Sequence, residues 1–388
     1  MQIRIAFDFK GGSEWQAGVS WLKALSYALR QNYGDDALLF FLPHEKRKKN
    51  DFSPAEVEEE SFQIPNPPKL SPLWGFSQIT RCIIGNDLLK AHYLKRSKID
   101  AYFGLVVENR IGNIPILSWI PDFQHIRLPE MFAESERRFR DRAFMKSAMV
   151  SDRVILMSEA VKKDFLAFAP EFVAKARVVK TCSFIPEYIY ELNPRNVIEK
   201  YNLPEKFFYI PNQFWKHKNH EVVFEALKII KENGKRVFVV CSGYKVDYRH
   251  PNYFSYLLQK LSESGISNQV YLLGLIPRDD VFILMRQAIC VLNPSLFEGF
   301  GLTVDEARSV GKRALLSDIL AHREQNPPKA VFFNPRDCED LVRKMEKIWN
   351  ESLPGPDLEL ELEARQSLFE RVKKSAESFM SIIKELVR

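Results

Sequence analysis

Two glutamates, Glu298 and Glu306, stand eight positions apart in the segment SLFEGFGLTVDEA. A carboxylate accepts hydrogen bonds from two hydroxyl groups, and bonds of this charge-assisted kind contribute roughly 1.5–3 kcal/mol each. Two carboxylates that flank one diphosphate site could therefore hold two polyol groups. A nucleotide sugar has that arrangement, with a ribose on one side of its diphosphate and a hexose on the other. The alternative is that both acids are ordinary loop and helix-cap residues, which a helix N-terminus favours.

The residues between the two glutamates predict an anion site built from backbone. The apolar stretch AICVLN precedes them as a buried strand, and a helix is expected to begin near Leu302. The first N–H groups of a helix have no partner within it and carry the positive end of its dipole. Gly299 and Gly301, on either side of Phe300, leave room for a ligand to approach that backbone. We therefore expect an anion to bind there without a basic side chain.

The elements that must position these residues follow an α/β pattern. Short apolar runs such as QIRIAFDF and AYFGLVV alternate with longer segments of helical spacing, which is typical of βαβ units with parallel sheets. The alternation stops in a proline-bearing stretch near residues 184–205 and then restarts. We predict two Rossmann-like domains that face each other across a cleft, with ligands at the carboxyl ends of the strands.

The 388 residues are enough for two domains of ordinary size. We place the first domain at residues 1–188 and the second at residues 189–368. Residues 369–388 continue an amphipathic helical pattern, and we expect this helix to pack back on the first domain. The proline-rich and charged segment 43–80 is expected to be a surface excursion with little internal order.

Composition and charge narrow the class of protein. The net charge is +6, much of it local, because the basic run HEKRKKN precedes the acidic run EVEEE. Such runs are usually solvated surface, and the remaining excess could steer an anionic ligand or contact an anionic membrane. The sequence has no basic stripe interleaved with aromatic residues, so it does not indicate nucleic-acid binding.

The five cysteines and the N-terminal sequence indicate the cellular compartment in which the protein is located. The cysteines are scattered without a CxxC pair, which favours a reducing compartment over a disulfide framework or a zinc site. MQIRIAFDFK has a strand pattern rather than that of a signal peptide, and no apolar run approaches the ~18 residues of a membrane span. We expect a cytoplasmic protein, with peripheral contact at the inner face of the membrane left open.

EGFGLTVDEA resembles the E-x7-E motif of retaining glycosyltransferases with the GT-B fold, known as glycosyltransferase family 4 or glycosyl transferases group 1. The resemblance implies that Glu298 contacts the donor sugar and Glu306 the ribose. It also implies that the backbone of Gly299, Phe300 and Gly301, and of Leu302 at the start of the helix, contacts the diphosphate and the sugar. In the same family the first domain binds the acceptor and the second binds the donor.

A second stretch, YIPNQFWKHKNHEVVFEAL, carries the family's basic residues in part. The family has Gly-Arg here, followed four residues later by Pro-Arg/Lys-Lys-Asn, and the two cations neutralise the donor diphosphate in place of a metal. This chain keeps Lys218 and Asn219, but Gln213 stands where the arginine usually does. Lys216 could compensate, although a lysine binds phosphate less directionally than an arginine. We expect no metal site and no cofactor.

Further loops are predicted to line the cleft. Gly18, just before the first helix, belongs to a loop that in the family closes over the donor phosphate. Asp122 and His125 could hydrogen-bond the acceptor or the transferring sugar, although the family often has this pair in the order His-Asp. Gly243 and Ile276 each follow a strand of the second domain, and the resemblance assigns nucleobase contact to the loop of Ile276.

These residues together predict a metal-independent retaining hexosyltransferase. It would move a hexose from a nucleotide-diphosphate sugar to a glycan or lipid-linked acceptor in cell-surface polysaccharide biosynthesis. The predicted catalytic residues are His125, Asp122, Lys218 and Glu298. One alternative is a catalytically impaired nucleotide-sugar-binding scaffold, which Gln213 and the reordered Asp-His pair favour. A further alternative is an epimerase or a phosphorylase with the same fold.

Overall fold

The computed structural model describes residues 2–9, 16–42, 60–61 and 69–387. The chain divides into two compact units. Unit 1 comprises Met1–Ile126, Ala133–Cys182 and Glu370–Arg388, and unit 2 comprises Arg127–Phe132 and Ser183–Phe369. The predicted boundary at residue 188 assigned residues 183–188 to the first domain, whereas their contacts lie in unit 2.

Unit 1 contains a sheet of parallel strands in the order β3-β2-β1-β4-β5-β6-β7. Because β1 pairs with both β2 and β4, the direction in which strands are added reverses between β1 and β4. The strands are β1 Ile3–Asp8, β2 Ala37–Phe41, β3 Glu60–Ser61, β4 Ala101–Leu105, β5 Ile116–Trp119, β6 Arg153–Leu156 and β7 Ala176–Val178. The accompanying helices are α1 Gln16–Tyr33, α2 Pro72–Cys82, α3 Leu88–Arg96, α4 Gln124–Arg127, α5 Glu134–Val150 and α6 Glu159–Phe168.

Unit 2 repeats this topology with the strand order β10-β9-β8-β11-β12-β13, so its reversal falls between β8 and β11. The strands are β8 Phe208–Ile210, β9 Val239–Ser242, β10 Val270–Gly274, β11 Cys290–Asn293, β12 Ala314–Ser317 and β13 Val331–Phe333. The helices are α7 Tyr188–Glu191, α8 Arg195–Lys200, α9 His220–Glu232, α10 Tyr253–Glu263, α11 Arg278–Gln287, α12 Leu302–Ser309, α13 Leu320–Gln325, α14 Cys338–Glu351 and α15 Leu358–Leu386. Both units therefore have the Rossmann-like arrangement that the sequence predicts.

The central strands form because they are apolar on both faces. Every residue of β8, β9, β11 and β12 is buried. Near-continuous apolar runs are typical of parallel strands covered by helices on both sides. One side of this core is closed by α9 and α14, whose Val223, Leu227, Leu341 and Met345 are buried in one cluster. Burying each such side chain stabilises the fold by about 1.5–3 kcal/mol.

The C-terminal part of α15 belongs to unit 1. The ring of Phe379 lies 6.0 Å from that of Phe7 and 5.2 Å from that of Phe103, measured between centroids. Glu385 accepts hydrogen bonds from Arg153 and Arg177 at 3.1 and 3.2 Å. Of the helices in the described part of the chain, none combines the length and apolar character needed to cross a bilayer.

One local expectation differs from the structure. The segment 43–80 was expected to have little internal order, but it contains β3 and most of α2. Residues 43–59 and 62–68, which include nearly all of both charged runs, lie outside the described residues. Helix α2 begins after Ser71, whose side chain accepts a hydrogen bond from the N–H of Trp74 at 3.2 Å, with Pro72 in its first turn. A serine cap followed by proline is a helix-start signal, and it outweighs the charged composition of the preceding residues.

Candidate functional site

The candidate site of unit 2 lies where the strand order reverses, at the carboxyl ends of β8 and β11. Asn212 follows β8 and Asn293 ends β11, and the amide Nδ2 of Asn212 donates to Oδ1 of Asn293 at 3.1 Å. Thr303, in the first turn of α12, donates its hydroxyl to Oδ1 of Asn212 at 2.9 Å. All three side chains are buried. This chain of hydrogen bonds fixes the start of α12 against the strand ends, the place where open α/β sheets bind ligands.

The glycine-bearing bend before α12 is packed on its inner side. Gly301 has φ +85°, a left-handed conformation that favours glycine, and a Cβ there would lie 3.3 Å from Cδ2 of His322. Gln325 donates its amide hydrogens to the carbonyl oxygens of Phe300 and Gly301. The N–H groups of Leu302 and Thr303 have no acceptor within the ranges the structure describes. They are the unpaired donors that the sequence predicts at this helix start.

An ion pair stands beside this helix start. The ammonium Nζ of Lys218 lies 2.6 Å from Oε1 of Glu298, and the hydroxyl of Ser295 lies 2.7 Å from the same oxygen. Lys218 ends the short 3₁₀ helix Lys216–Lys218 that follows β8. The next residue, Asn219, donates to the carbonyl of Pro294 at 3.1 Å and so holds that helix against the loop after β11.

The environment keeps Glu298 ionised. Burial by itself would raise the pKa of its carboxyl group, but Lys218 and His322 nearby, and hydrogen bonds from Lys218 and Ser295, lower it below its ordinary value. An ammonium group has three N–H donors. Among the described residues, Lys218 uses one of them on Glu298, which leaves two for a ligand.

Glu306 is buried in α12, and its carboxylate pairs with the guanidinium of Arg278. Arg278 begins α11, directly after the loop that contains Ile276. It also lies over the ring of Phe282, 4.4 Å from the centroid. Arg278 is not among the site residues predicted from the sequence, because no local pattern links it to Glu306.

Gly243 and Gln213 meet at the ends of β9 and β8. A Cβ on Gly243, whose φ is +146°, would lie 2.4 Å from the carbonyl oxygen of Asn212 and 2.8 Å from Cα of Gln213. Only glycine therefore allows the two backbones to come this close. Lys216 is exposed, and its N–H donates to Asp247 at 3.0 Å.

Three candidate residues lie in unit 1. Gly18 was expected in the loop before the first helix. It is instead the third residue of α1 and is buried, because the helix begins at Gln16. The other glycines of that loop, at positions 11 and 12, lie outside the described residues. A glycine within a helix costs only about 1 kcal/mol relative to alanine, so tertiary packing can outweigh it. Asp122 accepts a hydrogen bond from the N–H of Gln124 at 2.9 Å and so caps α4.

His125 is buried within α4 rather than exposed on a polar loop. Its Nε2 lies 3.1 Å from Oδ1 of Asp141, and its ring packs edge-on against Phe144 at 5.3 Å. Burial lowers the pKa of His125, and Arg140 lowers it further, while Asp141 opposes both effects. The structure thus brings Lys218 and Glu298 into contact, and it places His125 in a buried aromatic cluster of unit 1. The roles predicted for these residues stay predictions.

The sequence did not lead to a prediction of the polar side chains that hold the strand ends and the glycine-bearing bend in place. Asn212 and Asn293 each end an otherwise apolar, buried stretch, and polar side chains at the carboxyl ends of adjacent parallel strands are a usable signal. His322 and Gln325 carry no such signal, because α13 approaches the glycine bend only in the folded chain. The described residues contain no group of three or more His, Cys, Asp or Glu side chains placed to hold a metal ion.

Comparison with solved structures defines the class of fold. The chain superposes on a glycosyltransferase from Rickettsia africae ESF-5 with a TM-score of 0.68 and 15% identity, covering 100% of this chain and 99% of that one. It superposes on HepE from Anabaena, in complex with UDP and glucose, with a TM-score of 0.64 and 16% identity, covering 100% of this chain and 95% of that one. The fold is GT-B, and the predicted α/β class with two Rossmann-like domains is confirmed.

Residues 195–371 match the model of the family described as glycosyl transferases group 1. The matched residues contain the candidate site of unit 2, and the match agrees with the E-x7-E resemblance.

Curated relatives match about half of the chain. The serotype-specific mannosyltransferase WbdA of Escherichia coli is 29% identical over 198 residues, which cover 51% of this chain and 22% of WbdA. The O-antigen chain mannosyltransferase RfbU of Salmonella typhimurium is 24% identical over 202 residues, which cover 51% of this chain and 52% of RfbU. The chain therefore aligns with no more than about half the length of these two relatives.

Proposed function

We propose that this chain is a retaining hexosyltransferase of cell-surface polysaccharide biosynthesis. It takes a hexose from a nucleotide-diphosphate sugar and transfers it to a glycan or lipid-linked acceptor. The observation that carries the proposal is the Lys218–Glu298 ion pair beside the unpaired N–H groups of Leu302 and Thr303. It joins positive charge for a diphosphate and a carboxylate for sugar hydroxyls in one place. The relatives named as mannosyltransferases favour mannose as the hexose.

The diphosphate binds to the start of α12 and to Lys218. The N–H groups of Leu302 and Thr303 donate to phosphate oxygens, where the helix dipole favours negative charge. The two remaining N–H groups of Lys218 donate to the same diphosphate. Because these groups supply the positive charge, the proposed reaction needs no metal ion.

The two glutamates bind the groups on either side of the diphosphate. Glu298 accepts hydrogen bonds from hydroxyls of the hexose, and Glu306 accepts them from the ribose. A carboxylate has about four lone-pair positions, so Glu306 can keep Arg278 as a partner while it binds the ribose.

Catalysis follows from where charge develops. As the bond between the anomeric carbon and the diphosphate oxygen breaks, negative charge grows on the leaving diphosphate. In this proposal Lys218 and the α12 N–H groups contact that diphosphate, so they stabilise the transition state more than the ground state. The acceptor hydroxyl forms its bond to the anomeric carbon on the same face, and its proton passes to the leaving diphosphate. Glu298 is a hydrogen-bond acceptor in this scheme and not a nucleophile.

The acceptor side of the proposal involves Asp122 and His125. Their proposed task is to hydrogen-bond the acceptor or the transferring sugar. The lowered pKa of His125 supports a neutral imidazole at pH 7, which can still donate one hydrogen bond and accept another. The proposed location is the cytoplasmic face of the membrane, with the positive net charge supporting peripheral contact.

One observation favours a second candidate function. Gln213 stands where the resembled family usually has an arginine, which removes a cation from the predicted diphosphate site. A nucleotide-sugar-binding scaffold without turnover would tolerate that change.

The test uses the purified full chain. A thermal-shift panel of UDP-, GDP-, dTDP- and ADP-sugars identifies the donor, since a ligand at 100 times its Kd stabilises a protein by about 2.7 kcal/mol. Proton NMR then follows the anomer released on donor hydrolysis and transfer in the presence of EDTA. A retaining mechanism predicts that the sugar first released or transferred has the same anomeric configuration as the donor. The inverted anomer, or dependence on a metal, would contradict the mechanism; binding without hydrolysis or transfer would favour the scaffold.

A further inference from the structure

Gln325 holds the glycine-bearing bend before α12 from outside that segment. Its side-chain nitrogen Nε2 donates to the carbonyl oxygen of Gly301 at 2.9 Å and to that of Phe300. Both partners are acceptors, so the amide atom that faces them has to be the nitrogen, which has two N–H groups for the two bonds. One side-chain amide therefore fixes two successive peptide units, those that join residues 300–301 and 301–302.

The direction of these two carbonyls sets the direction of two N–H groups. Both peptide units are trans, and in a trans unit the C=O and N–H bonds point in opposite directions. Because both carbonyls converge on one nitrogen, the N–H groups of Gly301 and Leu302 point away from Gln325. Neither N–H has an acceptor among the described residues. Successive N–H groups around a left-handed residue, here Gly301 with φ +85° and ψ +64°, form a concavity that binds anions.

The bend by itself does not determine this direction. Rotating the peptide unit between Phe300 and Gly301 by half a turn would change the sign of φ at Gly301, and glycine populates both signs about equally. The carbonyl of Gly301 also accepts the N–H groups of Val304 and Asp305, within α12. The carbonyl of Phe300 accepts no backbone N–H in the described part of the chain, so its orientation depends on Gln325.

The helix that carries Gln325 is anchored to the sheet of unit 2. Gln325 is the last residue of α13, and it is half-buried. His322 in the same helix is fully buried, and its Nδ1 lies 2.9 Å from the carbonyl oxygen of Ser317, the last residue of β12. The bend is therefore held in one orientation before a ligand arrives, which lowers the entropic cost of binding.

We propose that Gln325 is a positioning residue for anion binding at the start of α12. It keeps the N–H groups of Gly301 and Leu302 turned toward the anion, and it does so through the backbone of the bend, without touching the ligand itself. That this anion is the diphosphate of a nucleotide sugar rests on the proposed function, whereas the role of Gln325 in anion binding does not.

The experiment titrates the purified full chain with inorganic pyrophosphate in the presence of EDTA and measures Kd by isothermal titration calorimetry. Gln325→Met keeps the length and the neutral charge of the side chain but removes its donors. We expect this variant to bind pyrophosphate roughly 5-fold to 30-fold more weakly than the wild type, because a bend without these two hydrogen bonds populates the binding orientation less. A contact that only stabilised the fold would change the melting temperature and leave the Kd of the folded protein unchanged.

Gln287→Met is the matched control. Like Gln325, Gln287 is half-buried and ends a helix, here α11, and its Nε2 donates to a backbone carbonyl, that of Glu205, at 3.0 Å. This hydrogen bond does not involve the glycine-bearing bend. We therefore expect Gln287→Met to keep the wild-type Kd for pyrophosphate, while thermal unfolding of both variants verifies that they fold.

Three outcomes would overturn the role of Gln325. They are a wild type that does not bind pyrophosphate, an equal Kd in Gln325→Met and the wild type, and an equal loss of affinity in the two glutamine variants. UDP, GDP, dTDP and ADP are titrated into the same samples. If pyrophosphate binding depends on Gln325 but none of these nucleotides binds, the proposed function fails and the role of Gln325 stands. If a nucleotide binds equally well to the wild type and to Gln325→Met, that role is refuted and the proposed function stands.

Discussion

The ammonium of Lys218 lies 2.6 Å from the carboxylate of Glu298, although 80 residues separate them in the chain. The side chain of Lys218 is 18% exposed and that of Glu298 is 11% exposed. The short 3₁₀ helix after β8 and the loop after β11 meet because these two strands are neighbours in the sheet of unit 2. The pair is therefore a product of strand order, and it sets the electrostatics of the candidate donor site.

The first prediction concerns the role of Lys218 in catalysis. We expect Lys218→Met to lower kcat for sugar transfer by roughly 10²–10³-fold, the range for removing one preorganised donor from a developing anion. Lys228→Met is the matched control, because Lys228 is 51% exposed on α9 and pairs only along the helix surface with Glu232. Transfer assays on both variants, with thermal unfolding to verify folding, make the comparison. Equal kcat in the two variants would remove Lys218 from the mechanism.

The second prediction concerns ribose binding by Glu306. We expect Glu306→Gln to weaken the binding of the donor's nucleoside diphosphate by roughly 10-fold to 100-fold, because charge-assisted hydrogen bonds to the ribose become neutral or are lost. Isothermal titration calorimetry measures the change without requiring turnover. Glu232→Gln, on the exposed end of α9, is the control and should keep the wild-type Kd. Unchanged affinity in Glu306→Gln would show that the ribose is held elsewhere.

The third prediction concerns acid stability and His220. This histidine is fully buried and stacks on Phe214 at 4.5 Å, and burial, with a smaller effect from Lys218, lowers its pKa to about 3. Below the ordinary pKa of 6.5 the unfolded chain binds a proton that the folded chain does not. The free energy of unfolding therefore falls as the pH drops from 6.5 towards 3, by on the order of 2 kcal/mol at pH 5.

His220→Phe removes this proton uptake and keeps the ring stacked on Phe214. We expect a smaller loss of stability between pH 7 and pH 5 in this variant than in the wild type, measured by urea unfolding. A slope of the same sign remains, because burial also lowers the pKa of His322, to about 4. Replacing the exposed His92 by phenylalanine should leave the pH dependence as it is. An unchanged slope in His220→Phe would contradict the prediction.

The fourth prediction concerns the buried Arg286 of unit 2. Its guanidinium donates to both carboxylate oxygens of Glu361, at 2.7 and 3.2 Å, and to the carbonyls of Ile189 and Leu192. We expect Arg286→Leu to lower the free energy of unfolding by about 3–5 kcal/mol, because it leaves a buried carboxylate uncompensated.

Urea unfolding measures this effect, with a surface arginine as the control. Arg343→Leu removes a pair with Asp340 in which the arginine side chain is 65% exposed, and we expect a change of about 0–1 kcal/mol. Similar small changes in both variants would mean that water or a rearranged side chain satisfies Glu361.

Local patterns in the sequence were enough for most of the secondary structure. PILSWI contains β5 and RVILMS contains β6, because runs of apolar residues bury both faces of a parallel strand. A serine just before a helical pattern is a local signal for a helix start, and the hydroxyl of Ser158 accepts a hydrogen bond from the N–H of Val161 at 3.0 Å at the start of α6. The glycine-bearing bend before α12 was also identified, because glycines between a buried strand and a helical pattern are a local signal.

The start of α1 was not predicted correctly, and this error has a physical reason. Glycines at positions 11, 12 and 18 suggested a loop that extends to Gly18, whereas the helix begins at Gln16. A glycine within the first helical turn is tolerated, so composition alone does not set where a helix begins.

The sequence by itself determined the α/β class, the two Rossmann-like units and the motif that carries Glu298 and Glu306. Only the tertiary structure decided which side chains meet: Lys218 with Glu298, Glu306 with Arg278, and Asn212 with Asn293. Hydrophobic periodicity is local and acts within a few turns or one strand. Contacts between distant residues depend on strand order and register, which are set by how whole elements pack together.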